Sequence, residues 1–249
     1  MVGIAGCAPD RERPPPGALS FDAQVTFDGS FEPDADPGEL QALGGVIVGH
    51  VLGPSIVARE EPSVDSAPVA ELDNPTEVGG PLVFQLVAEE VTGLSADAWV
   101  EVHLPVRPNG TTGWVRLDEL ALSRNPFRIE IDTGDHLLEV WRGDRRWLST
   151  TVAIGTGATP TPIGEFYIIE LLQPPVPDGL YGPFAFGLSG FSETLQSFAG
   201  GDGVIGIHGT DEPDALGTDV SHGCVRVRND VITELAGVIP LGTPVVITT

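Results

Sequence analysis

Short apolar runs separated by turn residues recur along this chain, and their spacing is that of strands. Val46-Ile47-Val48, Ser55-Ile56-Val57, Pro81 to Val87 and Trp99 to Leu104 have the β-branched and aromatic composition that suits a pleated, half-buried surface. Beyond Phe127 the alternation sharpens. Arg128-Ile129-Glu130-Ile131-Asp132 has period two, Leu137 to Gly143 runs into a turn, and Trp147 to Ile154, Gly164 to Leu171 and Pro244 to Ile247 follow. One stretch alone reads as a helix. Asn229 has N-cap chemistry, Asp230 suits the positive N-terminal end, Val231, Ile232 and Leu235 form an apolar stripe, and Gly237 fits the stop. The expected fold is mainly β with one short helix.

Pro108-Asn109-Gly110 predicts a tight turn, with Asn-Gly supplying positive φ values, between Trp99–Leu104 and Gly113-Trp114-Val115. This segment, above all Asn109 to Val115, resembles the small Src-homology-type β-barrels that bacteria place beside cell-wall enzymes. Trp99 and Trp114 read as core or corner aromatics of such a barrel. Pro9 to about Leu43 is different: it is acidic and Pro-rich, with Pro14-Pro15-Pro16 and Glu32 to Pro37, and offers too little apolar surface to offset ordering entropy. Three parts are therefore expected: a disordered acidic spacer over 1–44, a small β-barrel over 45–122, and a β-sandwich over 123–249.

Charge narrows the partners. The chain has 249 residues and a formal net charge of −24, and all 12 of its basic residues are Arg. Nucleic acid and anionic membrane need clustered cations on the protein, so the charge argues against both as partners. No stretch reaches the ~18 apolar residues of a membrane span.

Cys7 and Cys224 are the 2 cysteines, and no disulfide is expected between them. Cys7 follows Ile4-Ala5-Gly6, which resembles the end of a bacterial lipoprotein signal peptide, so Cys7 is a candidate lipid anchor. Only Met1 to Gly6 precede it, fewer than the n- and h-regions of a signal peptide require.

The chemistry concentrates in Gly206-Ile207-His208-Gly209-Thr210 and Ser221-His222-Gly223-Cys224-Val225-Arg226. A thiol attacks as thiolate, so it needs a lowered pKa or a neighbouring base, and imidazole is the usual one. Gly223 permits close backbone approach. If the segment is extended, His222, Cys224 and Arg226 share a face, which leaves His208 and His222 both open as the base. Three readings follow from the residues: a Cys–His acyl-transfer site, a zinc site lacking an evident fourth ligand, and a buried structural Cys with two ordinary His.

His208-Gly209 followed by Ser221-His222-Gly223-Cys224 resembles the signature of the L,D-transpeptidase (YkuD-like) catalytic domain. Upstream, Ile154-Gly155-Thr156-Gly157 and Thr161-Pro162-Ile163-Gly164-Glu165-Phe166 are similar to that family's strand–turn element. The resemblance covers about Pro126 to Thr249. It implies a β-sandwich catalytic domain, Cys224 as the acylated nucleophile, His208 as base with its ring oriented by the Gly209 carbonyl, and His222 in the same site. It further implies an oxyanion hole from the Gly223 and Cys224 N–H groups. Ser221, Thr210, Arg226 and Tyr181 are candidate substrate contacts; Tyr181 to Phe186 falls where the family carries a substrate-covering loop, either a lid or a packed hairpin. The implied reaction is peptidoglycan cross-linking between third residues of stem peptides, with release of D-Ala from a tetrapeptide, by an extracytoplasmic enzyme sensitive to β-lactams. It uses no nucleotide or metal cofactor. The alternatives are an L,D-carboxypeptidase that trims tetrapeptides, and a non-catalytic zinc-holding wall-binding module.

Overall fold

A computed structural model describes residues 44–89, 91, 94–195 and 203–249. Cys7 and nearly all of the spacer lie outside these residues. The chain is mainly β, with a single α-helix among the described residues. Its strands are β1 (Val46–Val51), β2 (Ser55–Arg59), β3 (Pro68–Asp73), β4 (Val83–Gln85), β5 (Trp99–His103), β6 (Thr112–Arg116) and β7 (Leu120–Asn125) in the first part. The second part holds β8 (Phe127–Asp132), β9 (Leu137–Arg142), β10 (Arg145–Thr151), β11 (Ile154–Gly155), β12 (Gly164–Leu172) and β13 (Ala185–Phe191). After these come β14 (Val204–His208), β15 (Asp219–Ser221), β16 (Val225–Arg226), helix α1 (Asn229–Ala236) and β17 (Pro244–Thr248).

The first seven strands make two small sheets, ordered β4-β1-β7 and β3-β2-β6-β5, joined by a bridge between Leu86 and Val102. Alternate residues of both sheets (Ile47, Ile56, Phe84, Val100, Val102 and Val115) bury against each other, as period two requires. The predicted turn at Pro108-Asn109-Gly110 joins β5 to β6. Gly110 alone takes positive φ, at +82°, whereas Asn109 uses its amide elsewhere: Nδ2 donates to Phe191 O and Oδ1 accepts from Phe191 N–H. Trp99 and Trp114 are half-buried.

Eight strands of the second part form one sheet, ordered β10-β9-β8-β17-β12-β13-β14-β16. This sheet curls over itself, so residues near both of its ends (Ile129, Ile131, Leu138 and Val140 from one, Ile205, Ile207, Val225 and Val227 from the other) meet in one core. Helix α1 closes that core with Ile232, Leu235 and Ala236. The expected sandwich is thus one continuous sheet whose two halves face each other.

The helix departs from expectation at its start. Arg228, extended at φ −62° and ψ 149°, occupies the N-cap with no side-chain capping bond, and Asn229 is the first helical residue. The Asn229 side chain reaches back to the loop after β14, as described below. Gly237 ends the helix as predicted.

Several strands have no alternation to betray them. Strand β13 is buried along its whole length, and β15 and β16 are only three and two residues long. Strand β7 runs through Asn125 and passes into β8 with only Pro126 between.

The two parts are fastened together. Val48 and Val83 pack against Tyr167 of β12, whose hydroxyl donates to His103 O at 2.9 Å. Arg107 donates to Ser192 O and Leu195 O and lies 4.7 Å over the Phe191 ring.

Candidate functional site

Strands β12, β13, β14 and β16 place alternate residues on opposite faces. Ile168, Phe186, Leu188, Ile205, Ile207, Val225 and Val227 face the core. Their neighbours in sequence therefore line the other face, and these include Gly206, His208, Cys224 and Arg226. β14 and β16 run parallel, pairing Ile207 with Val225 and His208 with Arg226, so Gly206 stands beside Cys224. Strand geometry puts the Cα atoms of His208 and Cys224 about 8 Å apart on a shared face, a diagonal that an imidazole spans.

His208 is 4% exposed. Its Nδ1 lies 2.6 Å from Gly209 O, and because a carbonyl only accepts, Nδ1 carries the proton and Nε2 has a free lone pair. Burial takes the imidazole pKa down to about 4, opposed by the Gly209 bond and assisted by the nearby Arg226 charge. The ring is thus neutral at ordinary pH. Tyr181 stands edge-on to it, with centroids 4.9 Å apart and planes at 64°. Burial pushes the Tyr181 phenol up, and a negative charge on Cys224 would push it further, so Tyr181 stands close to both His208 and Cys224.

Cys224 is half-buried and in no disulfide. Burial pushes its thiol pKa up, while the Gly206 N–H facing the sulfur and the Arg226 guanidinium favour the thiolate. The turn that presents it depends on Gly223, whose φ of +119° is a conformation that L side chains rarely adopt. Ser221 holds the turn from inside: its hydroxyl donates to Cys224 O at 2.5 Å and accepts the Gly223 N–H at 3.1 Å. Ser221 is buried, and these two bonds brace the turn. The Gly223 N–H is engaged by the same bond.

The extended reading of residues 222–224 fails at Gly223. The turn there breaks the period, so His222 is exposed while Cys224 is half-buried. Arg226 does share the Cys224 face, but it is buried and paired with Glu212 at 3.1 Å, and its Nε has no hydrogen-bond partner. Thr210 is buried, its N–H donating to Asn229 Oδ1 at 2.8 Å and its hydroxyl accepting from Glu212 N–H at 3.0 Å.

Asn229 is the residue the sequence reading misplaced. It holds the chain just after His208-Gly209, where Gly209 and Gly182 pack against it and against each other so closely that a Cβ on either would meet Asn229 Oδ1. Tyr181 to Phe186 is accordingly anchored at Gly182 as a packed turn leading into β13. The place of Asn229 directly after Val225-Arg226-Val227-Arg228 is the available signal.

The site brings together a partly buried thiol, a neutral imidazole with its free nitrogen on the same face, and a backbone N–H aimed at the sulfur. Such a set can form and resolve a thioester. Among the described residues, no group of three His, Cys, Asp or Glu side chains is placed to hold a metal ion, and His222 is exposed.

Comparison with known proteins places the same region. Residues 126–247 match the YkuD family, the L,D-transpeptidase catalytic domain. YkuD of Bacillus licheniformis is 36% identical over 123 residues, 49% of this chain and 66% of the relative. YkuD of Bacillus subtilis is 36% identical over 122 residues, again 49% of this chain and 66% of the relative. The chain thus spans just under two thirds of each. The NMR structure of the catalytic domain from an Enterococcus faecium L,D-transpeptidase is 26% identical and covers 48% of this chain and 95% of that one, with a TM-score of 0.35.

Proposed function

Residues 126–247 are a YkuD-family L,D-transpeptidase catalytic domain, and from that premise we propose that the chain cross-links peptidoglycan stem peptides through a thioester on Cys224, outside the cytoplasm. The observation that carries the assignment of residues is the His208 Nδ1–Gly209 O bond, which fixes the tautomer and leaves Nε2 to act as base on the Cys224 face.

The thiol rests as S–H, since burial raises its pKa and lowers that of His208. As Cys224 Sγ attacks the carbonyl carbon of the third residue of a tetrapeptide stem, its proton passes to His208 Nε2. The carbonyl oxygen becomes an oxyanion, for which we assign the Cys224 N–H as donor because Ser221 holds the Gly223 N–H. Collapse breaks the C–N bond, and His208 returns its proton to the departing D-Ala amine. A side-chain amine of a second stem then attacks the thioester, His208 takes the amine proton, and the thiol is released with that proton as the cross-link forms. Tyr181, against both groups, and Arg226 beside them line the substrate path. Cys7 stays a candidate anchor for placing this domain at the envelope.

The test has two parts. Intact-mass analysis after exposure to a carbapenem-type β-lactam should show one adduct, absent in Cys224→Ser. Incubation with tetrapeptide stems should give cross-linked dimers. Tripeptide alone would mean water resolves the thioester and make the enzyme a carboxypeptidase, and no adduct at all would remove Cys224 from the chemistry.

A further inference from the structure

One ionisable group on the site face takes no part in the chemistry just described. Glu170 on β12 pairs with Gly187 on β13, Gly187 pairs with Gly206 on β14, and Gly206 stands beside Cys224. Glu170 and Cys224 are thus two ends of one row across the sheet. The β-bulge between Ile168 and Glu170 sets that row: Ile168 faces the core, and Glu170 is turned to the opposite face. Gly187 contributes no side chain, and Glu170 lies in the space left, so that a Cβ at Gly187 would stand 2.8 Å from Glu170 Cδ. The carboxyl group therefore lies over β13, one strand nearer Cys224 than its own backbone.

Glu170 is half-buried, and it makes no hydrogen bond or ion pair with any described residue. Arg226, which shares this face, is held by Glu212. Burial takes the Glu170 carboxyl up to about 6, which still leaves it ionised at neutral pH. A carboxylate with no partner among the described residues is costly to keep on a partly desolvated surface, and a cation delivered by a ligand removes that cost.

We infer that Glu170 receives the side-chain ammonium of the donor stem's diamino acid, the residue whose carbonyl Cys224 captures. This inference rests on the transpeptidase reading and adds a specificity determinant to it. Three strand spacings separate the Cα atoms of Glu170 and Cys224 by about 14 Å, and folding over β13 brings the carboxyl group to about 10 Å. A diamino acid has six bonds between its carbonyl carbon and side-chain nitrogen, roughly 7 Å when extended, and an ammonium–carboxylate contact adds about 3 Å. The spans agree. At that distance Glu170 exchanges no proton with the thioester, so its effect falls on donor binding.

The experiment compares two tetrapeptide donors, one with the side-chain amine free and one with it acetylated, on wild type, Glu170→Gln and Glu170→Asp, reading D-Ala release with the same excess amine acceptor supplied to both. Wild type should favour the free amine by about tenfold or more in kcat/KM, expressed in KM, as expected for a charge-assisted bond. Glu170→Gln should bring the ratio close to one, and Glu170→Asp should restore part of it. Carbapenem acylation of each variant checks that the fold and the thiol survive. A ratio that persists in Glu170→Gln, or a wild type that does not discriminate, overturns the inference alone. A wild type that acylates with carbapenem but turns over neither donor overturns the transpeptidase reading and this inference with it.

Discussion

The two faces of β12, β13, β14 and β16 are written in the same few residues yet differ in almost every property. One face is Ile168, Phe186, Leu188, Ile205, Ile207, Val225 and Val227, all but fully buried. The other is Glu170, Gly187, Gly206, His208, Cys224 and Arg226, where the glycines make room and the polar groups carry the chemistry. Because neighbours in sequence alternate between the faces, each reactive group is positioned by the two apolar residues beside it. Ile207 and Val225 pair directly across β14 and β16, and this pair sets the register of His208 and Cys224. Precision on the polar face is inherited from packing on the apolar one.

That comparison is sharpest at His208 and its neighbour. His208→Ala should slow acylation of Cys224 by about three orders of magnitude, the scale of a lost general base, while shifting the melting temperature little. Stopped-flow monitoring of β-lactam acylation reads it. His222→Ala should have a far smaller effect; if it proved the more damaging of the two, the base would be misassigned. Ile207→Ala leaves every polar group in place but hollows the core, and should cost about 3–4 kcal/mol in chemical denaturation.

Acid provides a third way to break the distinction, since buried His208 belongs in part to both faces. Unfolded histidine binds a proton below about 6.5, whereas folded His208 refuses it until about 4. His50, half-buried against Ser123, behaves alike, with its pKa also taken down to about 4. Stability is therefore full above pH 6.5 and falls as pH drops from 6.5 to 4, by about 3 kcal/mol for each histidine. Glu170 runs the other way: raised to about 6, it adds stability at low pH that is lost as pH rises through 6, offsetting part of the fall. Urea unfolding at pH 7 and pH 4.5 should show a net loss, and His208→Gln should flatten it. The smallest effect is expected at Asn229→Ala, which orphans the buried Thr210 N–H and should cost about 1–2 kcal/mol. Acylation should slow with it, by about tenfold, because the loop carrying Gly209 O loosens.

Much of this was legible before any coordinates. Period-two alternation located β8, strand composition between turn residues located β9 and β12, and the apolar stripe located α1. For β8 and α1 the reason is that each has one face on a core, and burial imposes a period that the sequence must carry. What could not be read follows from the same physics. β13 is buried on both faces and so has no alternation, while β16 is two residues long and its partner lies 18 positions upstream. At Gly223 a single positive φ cancels the face assignment made for His222 from the even spacing. Asn229 looked like a cap because its chemistry is that of a cap; its actual partner, the Thr210 N–H, is 19 residues away in sequence and adjacent only once the sheet has curled.

The contact between the hairpin tip at Arg107–Asn109 and Phe191–Leu195 gives the first part of the chain a bearing on the second. Asn109 imitates a strand neighbour, offering an amide N–H and a carbonyl to the backbone of Phe191, while Tyr167 returns a hydroxyl to His103. Both attachments lie on strands that also carry the site face. Cutting the chain at residue 126 would therefore do more than shorten it: it would strip a buttress from β12 and β13 and bare Tyr167 to water. The accessory part is masonry for the reactive sheet, and an isolated second part is a different wall.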